Sequence, residues 1–231
     1  GPTFTWCFSP DSKSILTCDR QGQITRWAGH GFQEVTPLFK VPLTIVNVWW
    51  GACFSDDGRR LATGSRGLVQ VWDVLSHTVV REFRAELDST VPWKFLDHGN
   101  ALITLNAEEL RAGGRDCLWD LTGEPVQAVH SWTNLPSAFG AAVSPDERWW
   151  VRLGQDGMCS IRNILNGGET TRRLDVNQPR YPAISPDGKL LAVPSWDSLV
   201  RVWRTDTWQT VKTLRGVLLP YDWVGFSADG T

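Results

Sequence analysis

Residues 54–73 read FSDDGRRLATGSRGLVQVWD and contain the two elements that decide the fold. The first is Phe54-Ser55-Asp56-Asp57-Gly58, in which an apolar residue runs into Asp and Gly, the residue types that favour a tight turn. The second is Val69-Gln70-Val71-Trp72-Asp73, whose alternation of apolar and polar residues predicts a strand ending in tryptophan. Arg60-Leu61-Ala62-Thr63-Gly64 predicts another short strand between them.

The first element recurs along the whole chain. Its copies begin at residues 8, 54, 95, 143, 184 and 226, which gives successive steps of 46, 41, 48, 41 and 42 residues. A fixed period of this size is the mark of a repeat architecture. The copies are Phe8-Ser9-Pro10-Asp11, Phe54-Ser55-Asp56-Asp57-Gly58, the degraded Phe95-Leu96-Asp97-His98-Gly99, Val143-Ser144-Pro145-Asp146, Ile184-Ser185-Pro186-Asp187-Gly188 and Phe226-Ser227-Ala228-Asp229-Gly230.

The second element follows each of the first five copies in the same phase. It ends at Trp27, Trp72-Asp73, Trp119-Asp120, Arg162-Asn163 and Trp203, so the fourth unit is divergent. We therefore expect Trp27, Trp72, Trp119 and Trp203 on equivalent third strands. A fourth strand follows in each unit, as in Thr78–Phe83 and Thr210–Leu214, and no stretch has a helical period.

Four short strands per unit predict one antiparallel sheet, which cannot bury both of its faces alone, so neighbouring sheets must stack radially. The period, the four strands and the Trp-Asp endings closely resemble those of the WD40-repeat β-propeller family. The predicted fold is all-β, with five complete four-stranded blades and the first strand of a sixth. The predicted blades are 3–46, 47–88, 89–133, 134–177 and 178–216, and residues 217–231 supply the extra strand.

A lone first strand leaves a sheet edge exposed. We therefore expect this sequence to be part of a larger ring. The alternative is a complete small ring in which the last strand pairs elsewhere.

Composition narrows the class of function. The net charge is -2, so the chain has no overall basic field for nucleic acid, and no apolar run is long enough to span a membrane. The five cysteines show no zinc-ligand spacing, which favours small buried thiols in a reducing compartment and hence a cytoplasmic protein. We expect no cofactor and no metal.

Catalysis finds no support in the residue pattern. His30, His77, His98 and His130 occupy unrelated phases of the repeat. The recurring Asp residues are explained by the turns, and Gly113-Gly114 matches no phosphate-binding fingerprint. The resemblance also implies an Asp–His–Ser/Thr–Trp hydrogen-bond network in each blade. Only Ser195, Asp197 and Trp203 match it well, so we expect packing to replace the network.

In the family, the loops leading into the first strand and the loops between the second and third strands surround one mouth of the central channel. The resemblance therefore implies a binding face, and aromatic and arginine side chains are frequent in protein-binding hot spots. Trp50 and Trp93 are equally well explained by packing between blades. The implied residues are Arg66, Gln155 and Trp196, with Glu108 and Glu109 as a weaker third-blade equivalent, and Trp49, Trp50, Trp93, Arg180, Tyr181, Tyr221 and Trp223 from the leading loops.

These observations predict a non-catalytic scaffold or sensor module that binds a protein partner, within a larger multidomain protein. Direct binding of nucleic acid is not expected. The alternative is a propeller enzyme or small-ligand sensor that uses the central channel.

Overall fold

The computed structural model describes residues 3–9, 13–41, 52–106, 115–133, 138–215 and 223–230. These residues form five four-stranded antiparallel sheets, each built from four strands consecutive in the chain, which confirms the predicted all-β fold. Two 3-10 turns, at His30–Phe32 and Asp97–Gly99, are the only helical segments in these ranges.

The strands are, in blade 1, β1 (Thr3–Phe8), β2 (Ile15–Asp19), β3 (Gln23–Ala28) and β4 (Glu34–Lys40); in blade 2, β5 (Ala52–Phe54), β6 (Arg60–Ser65), β7 (Leu68–Asp73) and β8 (Thr78–Arg84); in blade 3, β9 (Thr90–Leu96), β10 (Ala101–Asn106), β11 (Asp116–Asp120) and β12 (Gln127–Trp132); in blade 4, β13 (Ala138–Val143), β14 (Trp149–Gly154), β15 (Met158–Asn163) and β16 (Glu169–Arg173); and in blade 5, β17 (Ala183–Ile184), β18 (Leu190–Pro194), β19 (Leu199–Arg204) and β20 (Thr210–Arg215).

The sheets group into two compact units. The first unit contains blades 1–3, and the second contains blades 4 and 5 with residues 223–230. Within each unit the core lies between the faces of successive blades. Leu16 and Ile24 of blade 1 pack with Leu61 of blade 2, and Leu153 of blade 4 packs with Leu191 of blade 5. Burial of these apolar faces holds the blades together.

The repeated tryptophans occupy equivalent places, which confirms that prediction. Each lies near the end of a third strand and pairs with an aliphatic residue of the second strand: Trp27 with Ile15, Trp72 with Leu61, Trp119 with Leu102 and Trp203 with Leu191.

Blades 1–3 retain a polar contact that the sequence analysis did not expect. The indole Nε1 of Trp27 donates to the hydroxyl of Thr17 over 2.9 Å. Trp72 donates to Thr63 over 3.0 Å and Trp119 to Thr104 over 2.9 Å. Each threonine lies two residues beyond the aliphatic partner of the tryptophan, so its hydroxyl meets the indole. The expectation that packing alone replaces the network is therefore wrong for these three blades. In blade 5 the same position is Val193, which offers no hydroxyl.

Blade 4 exchanges the two members of this pair. Arg162 occupies the tryptophan position and is paired in register with Trp150, which stands where the other blades have Leu or Ile. Both side chains are fully buried, and the Arg162 guanidinium carbon lies 4.6 Å from the centroid of the Trp150 ring. The Nε of Arg162 also lies 3.4 Å from the Glu169 carboxylate. Cation–π attraction and this ion pair offset the cost of burying the charge.

The fourth strands are the most exposed. All residues of β16 and β20 are exposed. In three blades the residue after the fourth strand donates its amide to the carbonyl of the glycine in the turn between the second and third strands. Val41 donates to Gly22 over 2.9 Å, Ala85 to Gly67 over 2.8 Å and Leu174 to Gly157 over 2.9 Å. These glycines have positive φ, and a side chain at Gly22 would clash with the Val41 carbonyl.

Residues 223–230 begin a further repeat without forming a strand in that range. Val224 and Phe226 pack against Ala192, Val200 and Val202 of blade 5. The Ser227 hydroxyl donates to Asp229 over 2.6 Å, as the equivalent serine does in the copies at Ser55, Ser144 and Ser185. Trp223 forms a single parallel bridge with Tyr181. This segment therefore covers part of blade 5. Its Phe226 has the position that Phe8, Phe54 and Phe95 have in other copies of the first element.

The five cysteines are free thiols, and all but Cys7 are buried. Burial raises the pKa of the Cys18 and Cys159 thiols to about 12. Over the residue ranges given above, no helix has the length and apolar character needed to cross a bilayer.

Candidate partner-binding site

The turns between the second and third strands carry the predicted site residues of the second unit. In blade 4 the amide of Gly157 donates to the Gly154 carbonyl over 3.0 Å, and Gln155 lies in the turn that this bond closes. In blade 5 the amide of Ser198 donates to the Ser195 carbonyl over 3.1 Å, and Trp196 lies at the equivalent position. The repeat thus places Gln155 and Trp196 in matching turns.

Trp196 and Arg180 form a stacked pair. The Trp196 side chain is 52% exposed although its neighbour Ser195 is buried. The guanidinium carbon of Arg180 lies 4.9 Å from the centroid of the Trp196 ring, within the range of a cation–π contact. The Arg180 amide donates to the Pro194 carbonyl over 2.8 Å, which fixes the backbone from which the arginine extends. We call Arg180 and Trp196 the Trp-Arg platform.

Backbone contacts join the other predicted residues of this unit to the platform. The amide of Gln178 donates to the Gln155 carbonyl over 2.9 Å, and the amide of Trp196 donates to the Gln178 carbonyl over 3.4 Å. Tyr181 follows Arg180 and forms the bridge with Trp223, which is 73% exposed. Backbone hydrogen bonds and one bridge therefore join the separate segments that carry the predicted residues Gln155, Arg180, Tyr181, Trp196 and Trp223.

A polar cluster supports the turn that carries Trp196. The Ser195 hydroxyl donates to Asp197 over 2.5 Å, and Arg201 reaches the Asp197 carboxylate at 2.8 Å and the Ser195 hydroxyl at 3.2 Å. Partial burial acts to raise the pKa of Asp197, but the hydrogen bonds from Ser195 and Arg201 hold it below its usual value. Ser195 is thus bonded to Asp197 and Arg201, as a structural turn requires.

A cavity of about 490 Å³ opens beside this turn. Its lining is mostly polar and charged and includes both acidic and basic side chains. The lining residues are Asp156, Arg173, Leu174, Asp175, Val176, Asn177, Asp197 and Arg201. Such a lining suits polar groups of a ligand more than apolar ones.

Arg66 and Trp93 belong to the first unit. Arg66 is exposed and shares a two-residue turn with Gly67, and both have positive φ (48° and 74°), as a type I′ hairpin turn requires. Trp93 is half-buried in β9, at an irregularity in its pairing with β10. Whether these residues face the same channel mouth as the platform stays a prediction. Trp49, Trp50, Glu108, Glu109 and Tyr221 lie outside the described residues.

The structure adds residues that the sequence analysis missed. Arg20 lies in the blade 1 turn closed by the bond from the Gly22 amide to the Asp19 carbonyl (3.0 Å), so it matches Gln155 and Trp196. Its spacing from Trp27 is seven residues, as between Trp196 and Trp203, and this spacing could have identified it. Gln178 and Arg201 carry no signal in the repeat, because their roles depend on contacts between distant segments.

The arrangement offers surface for binding. An exposed indole beneath a guanidinium presents a flat apolar face and several hydrogen-bond donors. Among the described residues, no group of three or more His, Cys, Asp or Glu side chains is placed to hold a metal ion.

Residues 45–73 and 181–204 match the family model described as "WD domain, G-beta repeat". The chain is similar to "Target of rapamycin complex subunit LST8" of Rattus norvegicus, with 23% identity over 176 residues that cover 70% of this chain and 51% of that protein. It is also similar to "Protein LST8 homolog" of Drosophila melanogaster, with 29% identity over 163 residues covering 66% of this chain and 50% of that protein.

A third relative is "Protein HIR1" of Cryptococcus neoformans var. neoformans, with 28% identity over 189 residues covering 68% of this chain and 21% of that protein. The chain thus spans about half the length of the LST8 relatives that it matches. The family match lies on blades 2 and 5, where the two repeat elements are most complete, and the same tryptophan position recurs in four of the five blades. The family model therefore matches two of the five blades, and the five four-stranded sheets are consistent with WD40 propeller blades.

Proposed function

We propose that this chain is a non-catalytic interaction module that binds a protein partner through the Trp-Arg platform and the adjoining Trp223. The observation that carries the proposal is the exposed Trp196 ring held against Arg180 at 4.9 Å. Trp and Arg are enriched among the residues that dominate binding energy at protein interfaces. Hydrogen bonds hold the backbone that carries them, so little backbone entropy is lost when a partner docks.

The relatives support the same class of function. Two of them carry LST8 in their names, and one of these names describes a subunit of a complex. A subunit role requires a surface that another chain recognises, and the platform supplies one in this protein. The identity of the partner is not implied by this similarity, because fold and function are separable.

The test is quantitative affinity purification with Trp196→Ala and Arg180→Ala. Truncation of either residue at a true hot spot costs about 2 kcal/mol or more, so partner recovery is expected to fall by about 30-fold at limiting bait. Leu165→Ala is the matched control, since Leu165 is 70% exposed and lies in the turn between the third and fourth strands of blade 4, at the opposite end of the strands.

Each variant is accepted only if its melting temperature equals that of the wild type. Undiminished recovery by both folded platform variants would refute the proposed site. The prediction that Arg66 lies on the binding face is tested with Arg66→Ala. Because Arg66 belongs to the first unit, this variant tests whether both units contribute to one interface.

A second candidate, a small-ligand sensor, is favoured by the polar cavity of about 490 Å³ beside the platform. Asp175→Asn and Arg173→Gln separate the two candidates. If they abolish partner recovery while Trp196→Ala leaves it unchanged, the cavity rather than the platform is the functional site.

A further inference from the structure

A second cavity lies in the first unit, between blades 1 and 2. Its volume is about 600 Å³, within the range of pockets that hold ligands or inserted side chains. Leu16 and Val74 are buried parts of its lining and Leu38 is half-buried. Arg26, Arg59 and His77 are exposed parts. The cavity is thus apolar inside and has two arginines, Arg26 and Arg59, where it opens.

Comparison with the equivalent clefts explains why this one is open. The position to compare is the one just before the residue that pairs with the third-strand tryptophan. It is Ser14 in blade 1 and Arg60 in blade 2, and the corresponding residue of blade 4 is Trp149. Arg60 crosses to blade 3, where its Nη1 donates to the Gly99 carbonyl over 2.5 Å. Trp149 crosses to blade 5, where its ring lies 6.5 Å from that of Trp208.

Ser14 is too short to cross. On the blade 2 side the equivalent of Trp208 is His77, which stacks on Phe39 of blade 1 with ring centroids 4.6 Å apart. A serine and a histidine therefore stand where blades 4 and 5 have two indoles. Among the residues that the structure describes, no large side chain fills the cleft between blades 1 and 2, and a cavity remains there.

Among the described lining residues, the two arginines outnumber the acidic side chains around the opening. Arg26 and His77 form no ion pair with the residues that the structure describes. Arg59 lies 3.9 Å from Asp57, but that carboxylate also accepts the Ser55 hydroxyl at 2.6 Å. Asp57 is the single acidic side chain in the described lining. The opening therefore favours an anionic group.

We propose that this cavity docks a short acidic segment of a partner protein, which inserts one large apolar side chain between blades 1 and 2. The apolar side chain contacts Leu16, Leu38 and Val74, and flanking carboxylates face Arg26 and Arg59. This surface is separate from the Trp-Arg platform in sequence and in chemistry, and the two proposals can fail independently.

The probe is a positional-scanning library of amidated octapeptides with phenylalanine fixed at one central position, screened against the whole chain. We expect Asp and Glu at the flanking positions to be selected over Asn and Gln by about tenfold. We expect the affinity of the best peptide, measured by fluorescence anisotropy, to fall as salt is raised, because partly exposed charges are screened. Selection of neutral or basic flanks would overturn the proposal, as would the absence of any binding.

Three variants locate the binding. Ser14→Trp introduces the indole that blade 4 carries and is expected to abolish binding of the best peptide. Arg26→Gln, which leaves the apolar lining intact, is expected to weaken it about tenfold, so the proposal remains testable if Ser14→Trp does not fold. Arg84→Gln is the matched control, because Arg84 is an exposed arginine of the same unit near the opposite end of the strands.

Equal binding by wild type, Arg26→Gln and folded Ser14→Trp would overturn the proposal. The alternative occupant is a second copy of this chain, which sedimentation of the chain alone would detect. A dimer that Ser14→Trp dissociates would assign the cavity to that second copy and would overturn the proposal of a partner segment.

Discussion

The first and second units are built from the same repeat but stabilise it differently. Blades 1–3 retain the hydrogen bond from the tryptophan indole to a threonine, whereas blade 4 replaces it by the Arg162–Trp150 contact and blade 5 by the apolar Val193. The clefts differ as well. The second unit fills the cleft between blades 4 and 5 with Trp149 and Trp208, and the first leaves a cavity between blades 1 and 2.

The difference shows which positions the fold needs. The third-strand tryptophan and its second-strand partner lie in the blade core, and both positions hold large side chains in every blade. The position just before the aliphatic residue is Ser14, Arg60, Ala101, Trp149 or Leu190. A position that tolerates this range is available for function, and a cavity lies in the cleft between blades 1 and 2, where the residue is Ser14.

The largest effect is expected from removing the indoles of the second unit. The double variant Trp149→Ser with Trp208→His gives the cleft between blades 4 and 5 the residues found between blades 1 and 2. Loss of two half-buried indoles is expected to lower the free energy of unfolding by about 4 kcal/mol, measured by urea denaturation. Leu165→Ser is the control. A loss below about 1 kcal/mol would mean that the indoles do not stabilise this cleft.

An intermediate effect is expected from the hydrogen bonds of the first unit. Thr104→Val leaves the buried Nε1 of Trp119 without an acceptor, which is expected to cost about 2 kcal/mol. The reciprocal change, Val193→Thr in blade 5, places a hydroxyl near the indole of Trp203 and is expected to change stability by less than about 1 kcal/mol. Urea denaturation of both variants decides the matter. Similar losses from both would contradict a distinction between the units.

The smallest effect concerns a turn that both units share. The Ser185 hydroxyl and the Lys189 amide donate to Asp187 and hold the pKa of that carboxyl below its usual value of 3.8. In the first unit the Ser55 hydroxyl and the Arg59 amide donate to Asp57 in the same way, and these bonds outweigh the burial that acts to raise the pKa of Asp57.

A carboxyl whose pKa is lowered by folding stabilises the protein above its usual pKa, and this contribution is lost as the pH falls through the lowered value. We expect Asp187→Asn and Asp57→Asn to reduce the loss of stability between pH 4 and pH 2, compared with the wild type. Thermal unfolding across this range measures it. An unchanged slope in both variants would exclude a role for these carboxyls.

Much of the fold could be predicted because the repeat combines period, turn residues and tryptophan in one phase. The four third-strand tryptophans and the five four-stranded blades followed from that pattern. The pairing of Trp150 with Arg162 did not, since the tryptophan moved from the third strand to the second and only the register of β14 and β15 shows that they meet. The Trp–Thr bonds were missed because the threonines lie on the neighbouring strand, outside both repeat elements.

The candidate site was predicted less fully. The turn positions of Gln155 and Trp196 could be read from repeat phase, whereas the stacking of Arg180 depends on the amide bond to Pro194, which joins segments that no local pattern relates. The cavity between blades 1 and 2 had no sequence signal at all. It arises because Ser14 and His77 are smaller than Trp149 and Trp208, and these pairs correspond only once the strand register is known.

In blades 1, 2 and 4, the hydrogen bond from the end of the fourth strand to the turn glycine has a kinetic consequence. The outer strands bury few side chains, so they can open locally without unfolding the blade. The amides of Val41, Ala85 and Leu174 bond to Gly22, Gly67 and Gly157 at the far end of the adjacent third strand, and opening of the outer strand must stop there unless the turn itself gives way. Hydrogen exchange along the outer strand of these three blades would therefore be graded, from fast at its exposed start to slow at this last amide. The end of the strand would stay attached to the blade while the rest of the strand fluctuates.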